Sequence, residues 1–308
     1  MEIAPELIWK IAPLYILVGL GILGGRLLGI GTGEVGKLLL FFFSPAVIFR
    51  GFYEADLAGG MTWLPFLTFG LSCMMAWVGL NRARRRWCDG QQRIVAFSCG
   101  TGNTGFFGIP ATLSLLGPDA LPYVVMAVFG SISFEVSYGY YIVVRSRASI
   151  HEAARRVMLF PGLHAAWLGL LCNSQSIGLP VVALDTIEFL TQGYSTLGMM
   201  LVGLGLTSLN LRRLDLPWVA YTFTAKFLVW PALVILAVTL DRALFGLFDP
   251  LAHQVLVILS LVPMAAMTAV HASVQQVHPE KASLAVALST VLALAWLPFG
   301  LWIAGLLL

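Results

Sequence analysis

Residues 92–116 read QRIVAFSCGTGNTGFFGIPATLSLL. The stretch has the length and apolar content of a membrane-spanning helix, yet its centre is Gly100-Thr101-Gly102-Asn103-Thr104-Gly105. A helix in lipid avoids such a break, because every backbone group it frees lacks a hydrogen-bonding partner there. Broken helices are tolerated at the bilayer midplane where they line a cavity, and they are the best sequence pointer to a transporter's binding site.

The rest of the chain agrees with a membrane setting. Of 308 residues, 59% are hydrophobic and 11% charged, with a mean hydropathy of +0.88. A soluble domain carries about 25% charge. Cys73, Cys88, Cys99 and Cys172 show no metal-like or redox spacing and read as small apolar fillers. The first apolar stretch is too long for a signal peptide and lacks a basic n-region, so no cleaved leader is expected.

A span needs about 20 mostly apolar residues. Ten candidates follow, at roughly 7–29, 34–53, 61–80, 92–116, 120–144, 157–178, 184–208, 216–240, 253–275 and 281–307. With ten spans, five loops fall on one side and hold 14 of the 18 basic residues, including Arg82, Arg84, Arg85, Arg86, Arg145, Arg147, Arg155, Arg156, Arg212 and Arg213. Positive charge marks the cytoplasmic side, so both termini are expected outside the cytoplasm. Trp9, Trp63, Trp218 and Trp302 lie near span ends and fit an aromatic belt.

The fold class expected is therefore an all-α polytopic membrane protein of two inverted five-helix repeats, 1–150 and 151–308. An odd number of spans per half inserts the second half upside down. The fourth and ninth spans then correspond, and the ninth, HQVLVILSLVPMAAMTAVHASVQQ, carries Pro263. At 1.5 Å per residue, Gly102 and Pro263 both lie about 15 Å deep. Entering from opposite faces, the breaks can meet and cross. The bland alternatives are a proline kink in the ninth span and close helix packing through small residues in the fourth. Gly100, Gly102 and Gly105 also fit G-x-G-x-x-G, but no strand precedes them and no acid follows about 20 positions on, so a dinucleotide site is rejected.

Two charges fall deep in spans, Glu135 and Lys226. Charge at the bilayer centre is costly and functional by default. Their depths differ by about 5–10 Å, which long side chains can bridge. The pair reads as a structural ion pair, as a proton or ion coupling site, or as two groups that bond separately. His271 reads as a protonatable ligand or as a packing histidine.

Each break creates a half-helix N-terminus, one near Asn103–Thr104 and one after Pro263. Such termini carry positive partial charge and free N–H donors, which favours a carboxylate. Asn103 and Thr104 can cap the new helix or bond a ligand. Pro110 frees the Phe106 carbonyl. Phe106, Phe107 and Met267 are candidate apolar walls. The expected substrate site is Gly102, Asn103, Thr104, Gly105, Pro110 and Pro263, with Thr268 and His271 contributing; Glu135 and Lys226 are the coupling candidates. No catalytic constellation, metal site or cofactor is expected, apart from Na+ or H+ as coupling ion. The expected partners are a small organic anion and the lipid bilayer. Nucleic acid is not among them, and the architecture leaves room for a homodimer.

The block Asn103-Thr104-Gly105-Phe106-Phe107-Gly108-Ile109-Pro110, followed by Leu115-Leu116-Gly117-Pro118, resembles the auxin efflux carrier family, whose pattern is N-T-G-[FY]-[LM]-G-[LI]-P and then a leucine-rich run ending in Gly. Weaker matches are Ser44-Pro45-Ala46-Val47-Ile48-Phe49, Gly198 to Gly205, Lys226 with Pro231, and Pro263 with Leu288-Ser289-Thr290 and Leu297-Pro298. Many members carry an asparagine shortly after the second-crossover proline, where this chain reads Met264-Ala265-Ala266-Met267-Thr268. The resemblance implies secondary transport of mono- or dicarboxylates or auxin-like weak acids in a cell inner (plasma) membrane. It also implies the fold of bile acid sodium symporters and sodium/proton antiporters. In that fold a core (spans three to five and eight to ten) moves like an elevator against a panel (spans one, two, six and seven). Glu135 and Lys226 look like the core acid and lysine of such antiporters. A cation/proton antiporter without organic substrate is the alternative.

Overall fold

The structure is a computed structural model and describes residues 3–57, 59–88, 90–144, 151, 155, 158–208 and 214–307. Among these residues it contains helices and connections and no strand. In chain order the helices are α1 (Ile3–Leu28), α2 (Thr32–Tyr53), α3 (Gly60–Ala83), α4 (Gln91–Gly100) and α5, a π-helical turn Thr104–Gly108 continued by Ile109–Leu116. Then come α6 (Pro118–Val144), α7 (Pro161–Ser174), α8 (Val181–Gly205), α9 (Leu216–Phe245), α10 (Pro250–Ser260), α11 (Met267–Val274) and α12 (Pro279–Leu307).

Six of these helices, α1, α2, α3, α6, α9 and α12, are long and apolar enough to cross a membrane. The architecture is that of a multi-pass membrane protein. The other four expected spans differ from single long apolar rods for visible reasons. Two are interrupted, as α4–α5 and α10–α11. Val181–Gly205 has the length, but Asp185, Glu188 and Gln192 make it more polar. The sixth is the 14-residue Pro161–Ser174. Of the basic residues used to orient the chain, Arg145, Arg147, Arg156, Arg212 and Arg213 lie outside the described residues.

Helix starts follow local chemistry. Asp215 Oδ1 accepts the Trp218 N–H at 3.1 Å at the head of α9, and Asp249 Oδ1 accepts the Ala252 N–H at 2.8 Å at the head of α10. A proline occupies the first turn in both. Carboxylate caps satisfy N–H groups with no intrahelical partner, and proline there loses no bond. Asp215 also holds the Lys281 ammonium of α12 at 2.8 Å. Burial alone would raise its carboxyl, but Lys281 and the Trp218 N–H outweigh burial and hold it below the usual carboxylate range.

A lowered folded value contributes stability that is complete above the unfolded carboxylate value of about 3.9 and disappears as pH falls through the folded one. The wild type is therefore expected to exceed Asp215→Asn in thermal stability at pH 7, with the advantage shrinking below about pH 4. A gap that stays constant across an acid titration would contradict the ion-pair argument.

Helix α1 packs along α8, and the second half of α2 along α7; α3 packs between α4 and α6, and the α5 turn rests on α8. The outward faces carry large apolar side chains such as Leu27, Phe41, Phe42, Trp77 and Phe189, as a lipid-facing surface requires. Trp9, Trp63 and Trp302 are exposed near helix ends, as expected of an aromatic belt, but Trp218 is fully buried and corrects that reading. It packs with Phe97, Phe134 and Tyr140 in a second apolar cluster beside the main core.

Candidate functional site

Helix α4 stops at Gly100 because Thr101 is extended (φ −139°, ψ 164°). Asn103 then has φ −74° and ψ 59°, and the Thr104 N–H donates to the Gly102 carbonyl at 2.7 Å. These are the features of an inverse γ-turn. The chain re-enters a helix at Thr104, with the Asn103 carbonyl accepting from Phe107 and Gly108 N–H groups at 3.3 and 3.0 Å. Asn103 thus caps α5 with its backbone, and its side chain makes no capping bond. The second interruption runs from Leu261 to Ala266, and the helix restarts at Met267 rather than directly after Pro263.

The two interruptions touch. The Asn103 N–H donates to the Pro263 carbonyl at 2.8 Å. Other groups freed by the breaks are satisfied by neighbours: the Trp230 indole N–H donates to the Cys99 carbonyl at 2.6 Å, and Ser289 Oγ accepts the Met264 N–H at 3.0 Å. Backbone unpaired in lipid would be prohibitive; here each break closes on protein.

Beside this contact lies a cavity of about 390 Å³ of atom-free space, open mouth included. Its polar lining comes from Thr68 and Ser72 of α3, Thr101 and Thr104 of the break, Ser131 of α6, and Lys226 of α9, with Ser260 at the end of α10. Leu71, Trp230, Val234, Leu256 and Leu259 form the apolar wall.

Glu135 and Lys226, together with Thr104, share a local geometry. Each sits in a π-helical turn: Thr104–Gly108, Glu135–Gly139 and Thr224–Val229. Such turns are frequent at functional sites, but two more, Leu39–Phe43 and Asp241–Phe245, lie away from the cavity, so the turn by itself marks no site. Two of the three precede a proline, Pro110 and Pro231, whose ring displaces the carbonyl four residues back and widens the turn. Lys226 is 2% exposed, with Nζ 5.2 Å from the Trp230 ring centroid. Gly102 makes its place: a β-carbon there would lie 3.0 Å from Lys226 Cε and from Val262 Cγ2, and closer still to Nζ. Glu135 accepts a hydrogen bond from Thr101 Oγ1. Among the described residues no ion pair joins Glu135 to Lys226: the acid bonds Thr101 and the lysine lies against Trp230, so of the three readings the geometry speaks against the structural ion pair.

Of the expected site residues, Gly102, Thr104 and Lys226 line the cavity, Asn103 and Pro263 bond to each other where the two interruptions touch, and Glu135 lies one hydrogen bond behind Thr101. Gly105 faces elsewhere: a β-carbon there would lie 2.9 Å from Tyr194 Oη. Pro110 is buried in α5, and Thr268 is buried with its hydroxyl unpartnered among the described residues. His271 packs edge-on against Phe97 at 4.6 Å and near Tyr140. None of these four lines the cavity. Phe106, Phe107 and Met267 do not line it either. The Phe106 ring lies tilted against Tyr194, and its backbone lies against Gly198, where a β-carbon would come within 3.3 Å of the freed Phe106 carbonyl.

The polar and aromatic lining residues outside the expected site are Thr68, Ser72, Thr101, Ser131, Trp230 and Ser260. Thr68 and Ser72 had a legible signal, two hydroxyls at i and i+4 on an otherwise apolar helix, which places them on one face.

A cavity with one lysine, several hydroxyls and an apolar wall lies where two interrupted helices touch in a multi-pass helical protein, an arrangement of the kind that lines transporter sites. No family model matches the chain. Over 291 residues the chain is 27% identical to a protein of Methanothermobacter thermautotrophicus described as an uncharacterized transporter, an alignment covering 94% of this chain and 92% of that one.

Proposed function

We propose that the protein is a secondary active transporter of small organic anions, a carrier rather than an enzyme, that binds its substrate at the crossing of the two breaks. The observation that carries this reading is the Asn103 N–H to Pro263 carbonyl bond beside the lysine-containing cavity. The similarity to a transporter over nearly its whole length supports it. So does the Asn103–Pro110 block that resembles the auxin efflux carrier family, with its carboxylate and auxin-like substrates.

In this reading ten spans form two inverted five-helix repeats, with both termini outside the cytoplasm of a cell inner membrane. The core carrying the crossing slides against the panel of α1, α2, α7 and α8, alone or as a homodimer. Glu135, reached from the cavity through Thr101, is the coupling group for H+ or Na+. Neutralising a carboxylate as the anion binds keeps the moving core from carrying excess charge into lipid.

Uptake of radiolabelled acids into proteoliposomes under separate pH and sodium gradients tests the reading. Uptake driven by one gradient, and reduced at least about tenfold in Asn103→Pro, which deletes the N–H of the crossing bond, is the expected result. Dissipation of the gradients with no acid moved would favour a cation/proton antiporter, for which the part-buried Glu135–Thr101 pair is the supporting observation.

A further inference from the structure

Several polar side chains of the cavity lining make no hydrogen bond to protein among the described residues, and Ser72 and Lys226 are the two most buried of them. Thr68 Oγ1 donates to the Ala127 carbonyl at 2.8 Å, Ser260 Oγ to the Val257 carbonyl at 2.7 Å, and Thr101 Oγ1 to Glu135. By contrast, the Ser72 hydroxyl, on a residue 1% exposed, has no partner among the described residues. The Lys226 ammonium likewise has no hydrogen bond or ion pair among the described residues, only the face of Trp230. Buried polar groups without partners are costly, and a buried unpaired cation more so. A cavity whose lining includes a lysine amine and a hydroxyl without protein partners is complementary to an anion that accepts from both.

Resting on the transport reading above, we infer that Lys226 and Ser72 form the carboxylate cradle of the substrate site, and that the site takes a monocarboxylate with a short apolar tail. Lys226 is thereby a substrate ligand. A carboxylate oxygen accepts from the ammonium and its mate from the Ser72 hydroxyl, a charge-assisted pair of bonds of the strong kind. The tail lies along Leu71, Val234, Leu256 and Leu259. The lining contains a single cation, so a second carboxylate on the same substrate would sit against hydroxyls and aliphatic carbon with no counter-charge. That excludes dicarboxylates. Gly102 belongs to the same device, since any side chain there displaces the ammonium.

The test is equilibrium binding of radiolabelled butyrate and succinate to the solubilised full-length protein, paired with uptake in proteoliposomes. Wild type is expected to bind and take up butyrate at least about tenfold better than succinate. Lys226→Gln should weaken butyrate binding about tenfold or more, and Ser72→Ala about three- to tenfold. Gly102→Ala is the second variant: it keeps every polar group yet should weaken butyrate as Lys226→Gln does, and monodispersity on size exclusion shows that each variant is folded.

Equal handling of the two acids, or wild-type butyrate affinity in folded Lys226→Gln, would overturn the cradle while leaving the transport reading intact. Failure of wild type to bind or move either acid, or any other carboxylate, would overturn both.

Discussion

Replacing Glu135 by glutamine is expected to leave the protein folded and able to exchange substrate, but unable to accumulate it against a gradient driven by pH. Glutamine keeps the volume and the carbonyl oxygen that accepts from Thr101 Oγ1, so the local hydrogen bond survives. What it removes is the ability to gain and lose a proton next to the cavity. With one proton moved per substrate, a difference of one pH unit supports about a tenfold accumulation. The variant should relax to equal concentrations on both sides while its counterflow rate stays within about threefold of wild type. Undiminished pH-driven accumulation in the variant would remove Glu135 from the coupling role. Sodium-driven accumulation that is lost in the same variant would keep the residue and change the ion.

Gly21→Ala should be strongly destabilising, whereas Gly19→Ala, two residues away on the same helix, should be neutral or better. A β-carbon at Gly21 would sit 2.9 Å from the Met200 carbonyl carbon, 3.0 Å from its Cα, and closer still to the oxygen. Those are backbone atoms of α8, so the contact is relieved only by separating the two helices. Without a hydrophobic drive between helices in lipid, such close contact through small residues is what holds them together. Overpacking of this kind costs about 1–3 kcal/mol, and more when backbone must move. Gly19 meets nothing within 4 Å. Alanine there should gain the helix-propensity difference, about 1 kcal/mol. Thermal inactivation rates in detergent, read as kinetic stability, should move in opposite directions for the two variants. Equal behaviour would mean that α1 and α8 do not pack as described.

Much of this architecture was legible because lipid imposes simple rules. Long apolar runs at Trp9–Leu28, Thr32–Tyr53 and Pro279–Ile303 have one stable form in a membrane. The two interruptions were legible for the converse reason: Gly100 to Gly105 and Pro263 cannot continue an ordinary helix. Their contact, predicted from matched depth, is present as the bond from Asn103 to Pro263. The length of the seventh expected span was readable, but the Arg50 contact to Glu188 and the bond from Gln192 Nε2 to Glu188 at 2.7 Å show its polar face engaged by neighbours.

The candidate site was only half legible. Thr268 and His271 share the ninth expected span with Pro263, and proximity along the chain suggested that they reach the site. The six-residue connection from Leu261 to Ala266 rotates α11 so that His271 lies among Phe97 and Tyr140. Periodicity cannot be carried across an irregular segment, because the phase of the helix beyond it depends on backbone angles that sequence does not specify. Ser72 and Trp230 were missed for a related reason. Each lies on a continuous helix, and only the packing of α3 and α9 around the crossing turns those faces toward the cavity.

From sequence alone came the all-helical class, the membrane setting, the positions of the two breaks and the presence of two charges deep in apolar segments, since each depends on the local cost of placing a residue or a freed backbone group in lipid. Tertiary structure alone decided which groups meet. It separated Glu135 from Lys226 by giving the acid to Thr101 and the lysine to the space under Gly102. It also left the Ser72 hydroxyl buried in the cavity lining without a partner among the described residues. Those choices follow from helix rotation and from close approach of backbones, which are properties of packing between distant segments rather than of any one of them.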